Sequence, residues 1–268
     1  MRHIIGCIGC GNMGSAIMSG FADRLSKDDY HLCAYDRNPG KLEALKALGV
    51  QSMGSIGETA ANSDILIFAV KPYQMSEVLQ EAQPEMKKDK AAISLAAGIG
   101  LSHLRLMLGD DCMIARCMPT ATAVAGRGVF AFCFDPMSIN EETQASILSL
   151  FGQIGMCIDL PENRFTSFSA LIGAGPAYLF AFMHALEQAG VTLGFGASES
   201  EKMIVELVAG CAAQAAVSGK SFMELRNMVC SPGGLTIAGI NVLDRAGLSG
   251  LVVEAVEKAN ERGKEMEE

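Results

Sequence analysis

The sequence predicts an α/β fold: a doubly wound sheet in the N-terminal part and an all-α domain after it. Three observations carry this. Short apolar runs alternate with amphipathic stretches from residue 4 to about residue 160, the βαβ rhythm of such a sheet. A glycine turn, Gly9-Cys10-Gly11-Asn12-Met13-Gly14, joins the first run to the first stretch. After Pro161 the strand-like runs stop and long helical patterns take over. At 268 residues, half of them hydrophobic, the chain has material for two cores, and the division expected is 1–160 and 161–268.

Residues 4–8 are the first strand, and a helix from residue 12 to about 25 follows the glycine turn. Residues 31–35 are the second strand. A helix beginning at Pro39 is spaced by Leu42, Leu45 and Leu48, one helical face. Residues 65–70 form an unbroken apolar run, as expected of a strand covered on both faces. Strands at 91–95 and 112–118 enclose a helix at 101–108. Strands at 129–134 and 156–160 complete the sheet around a helix from about 141 to 151. In the second part, Ser198-Glu199-Ser200-Glu201 reads as a capping box with Ser198 as N-cap, opening an Ala-rich helix to about Val217. A short helix covers 222–228, and Ser231-Pro232-Gly233-Gly234 breaks the chain. A helix restarts near Thr236, and a last one runs from Leu248 towards Met266, with 265–268 frayed.

A formal charge of −9 without any Lys/Arg run argues against a nucleic-acid partner. The nine cysteines are scattered and odd in number, and a chain this size needs no disulfide framework. Cys7 and Cys10 form a Cys-x-x-Cys, but they straddle a strand end and a glycine turn, so a redox dithiol is the weaker reading. The four His residues lack ligand spacing, and no metal site is expected. The N-terminus enters a strand at once, without the pattern of a secretory signal, so a cytoplasmic location is expected. Residues 165–186 carry no formal charge and are long enough to mimic a membrane span. Gly173, Gly175 and Pro176 interrupt them, and the reading is a helix buried in a protein core or a subunit interface, with no membrane partner.

The glycine turn matches Gly-x-Gly-x-x-Gly in the context that gives the pattern meaning, directly after a strand and opening a helix. Gly9 permits the tight turn, Gly11 lets backbone approach a pyrophosphate, and Gly14 lets helix and strand pack closely. The free amides of the helix start face the phosphate charge. This is the Rossmann arrangement for a dinucleotide. Asp36 closes the second strand about 20 residues on, where an acid would accept from the ribose hydroxyls of NAD. Arg37 beside it would instead pair with the 2′-phosphate of NADP. The reading taken is NADPH, with NADH left open.

Further blocks follow: Val70-Lys71-Pro72, Arg116-Cys117-Met118-Pro119, Gly173-Ala174-Gly175-Pro176-Ala177-Tyr178, and Ser231-Pro232-Gly233-Gly234-Leu235-Thr236. With the glycine turn, and in this order through the whole chain, they resemble the pyrroline-5-carboxylate reductases. The Ser-Pro-Gly-Gly-x-Thr block is the most diagnostic. The resemblance implies an N-terminal Rossmann domain and an all-α C-terminal dimerisation domain. It implies a homodimer with interleaved helices, an active site at its interface, and rings of dimers as a larger assembly. The reaction implied is hydride transfer from NAD(P)H to the C=N bond of 1-pyrroline-5-carboxylate, giving L-proline.

The residues matching the family's cofactor site are Ile8, Gly9, Cys10, Gly11, Asn12, Met13 and Gly14, then Ala69, Val70, Lys71 and Pro72, then Leu95, Ala96 and Ala97, with Pro119. The substrate residues are Glu162, Gly233, Gly234, Leu235 and Thr236, and Thr236 is the catalytic candidate. Amides around Gly233 to Thr236 would hold the substrate carboxylate. Outside its block, Thr236 would read as a plain N-cap. Three residues depart from the family pattern: Thr120 where Asn is common, Ala174 where Ser is common, and Leu235 where a smaller residue is usual. They keep two alternatives in view, a related imine or hydroxy-acid reductase with another substrate and a non-catalytic NAD(P)-binding paralogue.

Overall fold

Strand β1 (His3–Ile8) pairs with β2 (Tyr30–Tyr35) on one side and β4 (Ile65–Phe68) on the other, so the strand order reverses beside it. The computed structural model describes residues 3–266. Its eight-stranded sheet has the order β3-β2-β1-β4-β5-β6-β7-β8. The remaining strands are β3 (Gln51–Ser52), β5 (Ala91–Ser94), β6 (Met113–Pro119), β7 (Gly128–Phe134) and β8 (Gly155–Asp159). Every pairing is parallel except that of β6 with β7.

The connecting helices are α1 (Asn12–Arg24), α2 (Glu43–Ala47), α3 (Ile56–Asn62), α4 (Met75–Ala82), α5 (Leu101–Leu108) and α6 (Glu141–Gly152). Side chains alternate across a strand, so β4 sends Ile67 into one core with Phe21 and Phe151. It sends Leu66 and Phe68 into the other, with Leu79 and Leu104. Burial on both faces is why this strand reads as an unbroken apolar run. The first core centres on the Phe151 ring, set edge-on to Phe21, Phe130 and Phe132 at centroid distances of 5.2, 5.2 and 5.0 Å.

The doubly wound sheet is as the sequence predicts, with three differences. The strand expected at 65–70 ends at Phe68; Ala69 N still donates to the Ile8 carbonyl at 2.8 Å, and Val70 leads into the Pro72–Gln74 turn. Helices α3 and α4 and the short β3 are additional. Ser55 caps α3 by accepting from Glu58 N at 3.0 Å, while the Glu58 carboxylate accepts from Gly54 N at 2.6 Å. At the other end Lys90 Nζ donates to the Ala60 and Ala61 carbonyls at 2.5 and 2.7 Å, filling acceptors the helix leaves open.

Two compact units emerge, one from the chain up to Ala174 with the segment from Asn260 onward, the other Gly175–Ala259. The first unit closes with α7 (Phe165–Phe168) and a π-helical turn, Ser169–Gly173. The second holds α8 (Gly175–Thr192), α9 (Ala197–Ser218), α10 (Phe222–Met228), α11 (Leu235–Arg245) and most of α12 (Leu248–Glu265). Its α8 and α9 pack closely where Gly190 meets Ser200; a Cβ on Gly190 would lie 3.0 Å from that of Ser200.

One expectation about this part is corrected and another is narrowed. The capping box at Ser198 does not form. Gly196 is already in the extended N-cap conformation, so α9 starts at Ala197 and Ser198 lies within its first turn. The box that does form is on α10, where Ser221 N donates to the Glu224 carboxylate and Glu224 N to Ser221 Oγ. The apolar stretch 165–186 is divided: Phe165, Phe168 and Ala170 are buried in the first unit, whereas its continuation on α8 is not covered by its own chain, which leaves the interface half of that reading open. Leu179 is 57% and Phe180 63% exposed, and among the described residues of the second unit only Ser200 and Ile204 are buried. Helix α12 ends at Glu265, and of the end expected to fray, residues 267 and 268 lie outside the described residues.

Candidate active site

A cleft of about 500 Å³ opens at the carboxyl ends of β1, β2 and β4, where ligands of doubly wound sheets bind. Its wall includes Ile8, Gly9, Gly11, Asp36, Arg37, Ala69, Val70 and Lys71, gathered from three loops of the sequence reading. The glycines hold the positions their spacing requires. Gly9 has φ +95°, and a Cβ there would lie 2.8 Å from the Ala69 carbonyl oxygen. A Cβ on Gly14 would overlap the Gly9 carbonyl oxygen, whereas one on Gly11 would meet no atom within 4 Å. Gly11 therefore faces open space beside the start of α1, where a phosphate would meet free amides.

Asp36 takes a different part from a simple ribose acceptor. Its Oδ2 accepts from Cys10 N at 2.7 Å and lies 3.5 Å from Lys41 Nζ, and its Oδ1 accepts from Asn38 N at 2.8 Å. The carboxylate thus ties the glycine loop to the end of β2. Arg37, Asn38 and Lys41 stand around it on the cleft wall, where Arg37, Lys41 and Lys71 share the lining with the acids Asp36, Glu77 and Glu81. Asn38, Lys41 and Gln74 belong to no motif in the sequence and were missed; their short distance from the second and fourth strands is the one signal that could have found them. Cys7 and Cys10 are free and buried, and hydrogen bonding to Cys10, with burial, pushes the Cys7 thiol well up. Both features oppose thiol chemistry there.

Not every expected residue lines this cleft. Cys10 contributes its backbone, and Asn12 and Met13 border a separate shallow hollow beside Ala121 and Val124. Pro72 is exposed just beyond Lys71. Leu95 and Ala96 bury their side chains after β5 and leave only backbone to offer, while Ala97 is exposed. Pro119 is buried at the end of β6. Thr120 next to it is 2% exposed, and its hydroxyl accepts from Val129 N at 2.9 Å and pairs with Thr122. The departure at this position is used to close the β6–β7 connection.

Glu162 and Arg116 meet near the same edge of the sheet. Arg116 pairs in register with Ser94, the last residue of β5, and is 5% exposed. Its Nη1 donates to Glu162 Oε1 at 2.7 Å, and its guanidinium lies 4.7 Å from the centre of the Phe165 ring. The same Oε1 accepts from Leu101 N, the start of α5, at 2.7 Å. Arg116 was visible in the sequence only as part of a block; nothing local announces a partner 46 residues away.

In the second unit, Gly233 has φ +66° and Gly234 is the extended N-cap of α11. Thr236 is therefore inside the first turn and is not the N-cap. It is exposed, its hydroxyl has no hydrogen-bond partner among the described residues, and Leu235 beside it is 95% exposed. The bend presents the free amides of a helix start, a hydroxyl and a leucine outward.

Residues 162–266 match the family model described as pyrroline-5-carboxylate reductase dimerisation, and residues 4–98 the model described as NADP oxidoreductase, coenzyme F420-dependent. The chain is similar to a pyrroline-5-carboxylate reductase of Escherichia coli, 33% identical over 267 residues and 99% of each chain. Among solved structures it resembles a pyrroline-5-carboxylate reductase from Coxiella burnetii, with a TM-score of 0.89, 30% identity and 98% of each chain covered. It also resembles the Plasmodium falciparum pyrroline carboxylate reductase with NADP bound, with a TM-score of 0.88, 28% identity and 99% and 98% covered.

Proposed function

This chain belongs to the pyrroline-5-carboxylate reductase family, and we propose that its Thr236 bend holds the substrate ring for reduction. The protein is an NADPH-dependent oxidoreductase that reduces the C=N bond of 1-pyrroline-5-carboxylate to L-proline. The observation that carries the site reading is the free, exposed Thr236 hydroxyl beside unpaired helix-start amides, within the family's most diagnostic block.

The cleft residues fit the cofactor. Gly9, Gly11 and the α1 amides suit a pyrophosphate; Arg37 and Lys41 suit the 2′-phosphate, while Asp36 is engaged with the loop. When bound, NADPH supplies a hydride. The amides of Gly233, Leu235 and Thr236 hold the ring carboxylate, that of Gly234 being taken by the Ser231 carbonyl at 3.0 Å. Thr236 Oγ1 donates towards the nitrogen, whose electron pair develops as the ring carbon is reduced.

The decisive measurement is NADPH oxidation with pyrroline-5-carboxylate, alongside the six-membered piperideine homologue as a probe of Leu235. Absence of turnover with either would overturn the reading. Thr236→Ala should lower kcat by about 10–1,000-fold, the scale of one preorganised hydrogen bond. Unchanged kcat would remove Thr236 from the mechanism.

The functional division proposed is 1–160 and 161–268, supported by a family match that begins at residue 162. A homodimer is proposed on that match and on the exposed apolar side chains of α8, Leu179, Phe180 and Phe182. Glu162–Thr192 is also long and apolar enough to cross a membrane, so the two covers for it need separating. Phe180→Glu is expected to convert a detergent-free dimer to monomer or aggregate in sedimentation. A dimer that survives the charge, or a wild-type chain recovered only from membranes, would refute the interface. Rings of dimers would be read from the same sedimentation runs. A cytoplasmic location is proposed because all nine cysteines are free, as suits a reducing compartment.

A further inference from the structure

We infer that Arg116 is a positioning residue that presents the second oxygen of Glu162 to the ring nitrogen of the substrate; the inference rests on the reductase reading above. Two ion pairs that both brace α5 are built differently. Arg105 and Asp135 form the structural kind. Arg105 Nε donates to Asp135 Oδ2 at 3.0 Å and Nη2 donates to Oδ1, so the pair is two-pronged. Asp135 is 1% exposed, and its oxygens also accept from Met137 N and Ser138 Oγ. Both oxygens are filled and hidden, as expected when a carboxylate serves only the fold.

Arg116 and Glu162 are arranged otherwise. The cation is buried and the acid is not: the side chains are 6% and 39% exposed. Arginine favours the fork geometry, yet here both donors, Arg116 Nη1 and Leu101 N, converge on Oε1. Oε2 accepts no hydrogen bond among the described residues. The Phe165 ring against the guanidinium fixes its plane, so Arg116 cannot swing to fill Oε2 without leaving the ring. The carboxylate is clamped by one oxygen and offers the other, at the sheet edge where β5 ends and α5 begins.

A cyclic imine protonated by solvent carries one N–H with a positive charge, which a clamped carboxylate oxygen would accept. As hydride adds to the ring carbon, the C=N electron pair moves to nitrogen. The proton already there stays, and the amine then takes a second proton from solvent. Glu162 gives and receives no proton in this sequence. Its contribution is to favour the protonated imine, the form that accepts hydride, and that depends on Arg116 keeping Oε2 in place.

The test uses the full chain with oxidised cofactor and compares equilibrium binding of L-proline with that of tetrahydrofuran-2-carboxylate, whose ring oxygen replaces the N–H. The ratio of the two dissociation constants reports the ring N–H and cancels general damage to the pocket. Glu162→Gln is expected to reduce the preference for proline at least about tenfold, the scale of one charge-assisted hydrogen bond. Arg116→Lys, which keeps a buried cation but loses the plane, is expected to reduce it several-fold while NADPH affinity holds. An unchanged ratio in Glu162→Gln would overturn the contact. A shift in melting temperature without a change of ratio in Arg116→Lys would reduce Arg116 to a structural part. Turnover of pyrroline-5-carboxylate by the wild type is measured in parallel; its absence sinks the reductase reading, whereas turnover with unmoved ratios sinks only this inference.

Discussion

Gly14→Val is expected to weaken NADPH binding by at least about 100-fold, the loss that a displacement of about 1 Å brings to a preorganised site. Helix α1 follows β1 after the three residues Gly9, Cys10 and Gly11. A Cβ on Gly14 would overlap the Gly9 carbonyl oxygen and sit 3.1 Å from that of Ala69. Neither neighbour has room to yield. Gly9, at φ +95°, is itself held against the Ala69 carbonyl, and Cys10 N is tied to Asp36. The start of α1 would have to retreat from β1, carrying with it the amides that face the phosphate. Overpacking should also cost about 1–3 kcal/mol of stability. Gly11→Ala separates the two effects. Its Cβ meets no protein atom, so the melting temperature should hold while NADPH affinity falls, because the methyl enters the space a pyrophosphate needs. Fluorescence titration with NADPH and thermal melts read both variants. A Gly14→Val dissociation constant within threefold of wild type would show that the loop relaxes freely and that the packing account is wrong.

Phe151→Ala is expected to destabilise the N-terminal unit by about 3–5 kcal/mol, the range for deleting a large buried aromatic side chain. Phe151 is fully buried on α6, and its ring meets Phe21 of α1 and Phe130 and Phe132 of β7 edge-on. Edge-to-face pairs add about 0.5–1.5 kcal/mol beyond the area they bury, so three of them at one ring make truncation expensive. The loss should appear as a lower denaturation midpoint at unchanged slope. Phe151→Leu, which keeps most of the volume, should recover more than half of it. A change below about 1 kcal/mol for the alanine variant would mean that the cluster collapses to fill the hole, and that α6 does not depend on this ring.

How far the sequence could be read varies with the distance between the residues concerned. The glycine turn was legible because all its determinants lie within six positions, and the backbone demands of a tight turn and a phosphate are local. Strands β1, β4 and β5 were legible because burial on both faces leaves a run of apolar residues. Helices α3 and α4 were missed although Ser55 and Glu58 carry a capping signature; at seven and eight residues their periodic pattern is short. The misplaced cap at Ser198 has the opposite cause. The right residue types stood in the right spacing, but a glycine two positions earlier had already started the helix. Asp36 was placed correctly in the chain, while its hold on the Cys10 amide depends on two loops meeting.

By itself the sequence determined the doubly wound sheet and the dinucleotide loop, because both follow from periodicity or backbone conformation within a few residues, and it marked the block that carries Thr236 through its resemblance to a family. Only the tertiary structure decided that Arg116 and Glu162 share one oxygen, that Asp36 braces the glycine loop, and that the helical unit keeps its apolar side chains outward. Contacts between residues tens of positions apart, and the burial of a surface against anything else, exist only once the strands have taken their places.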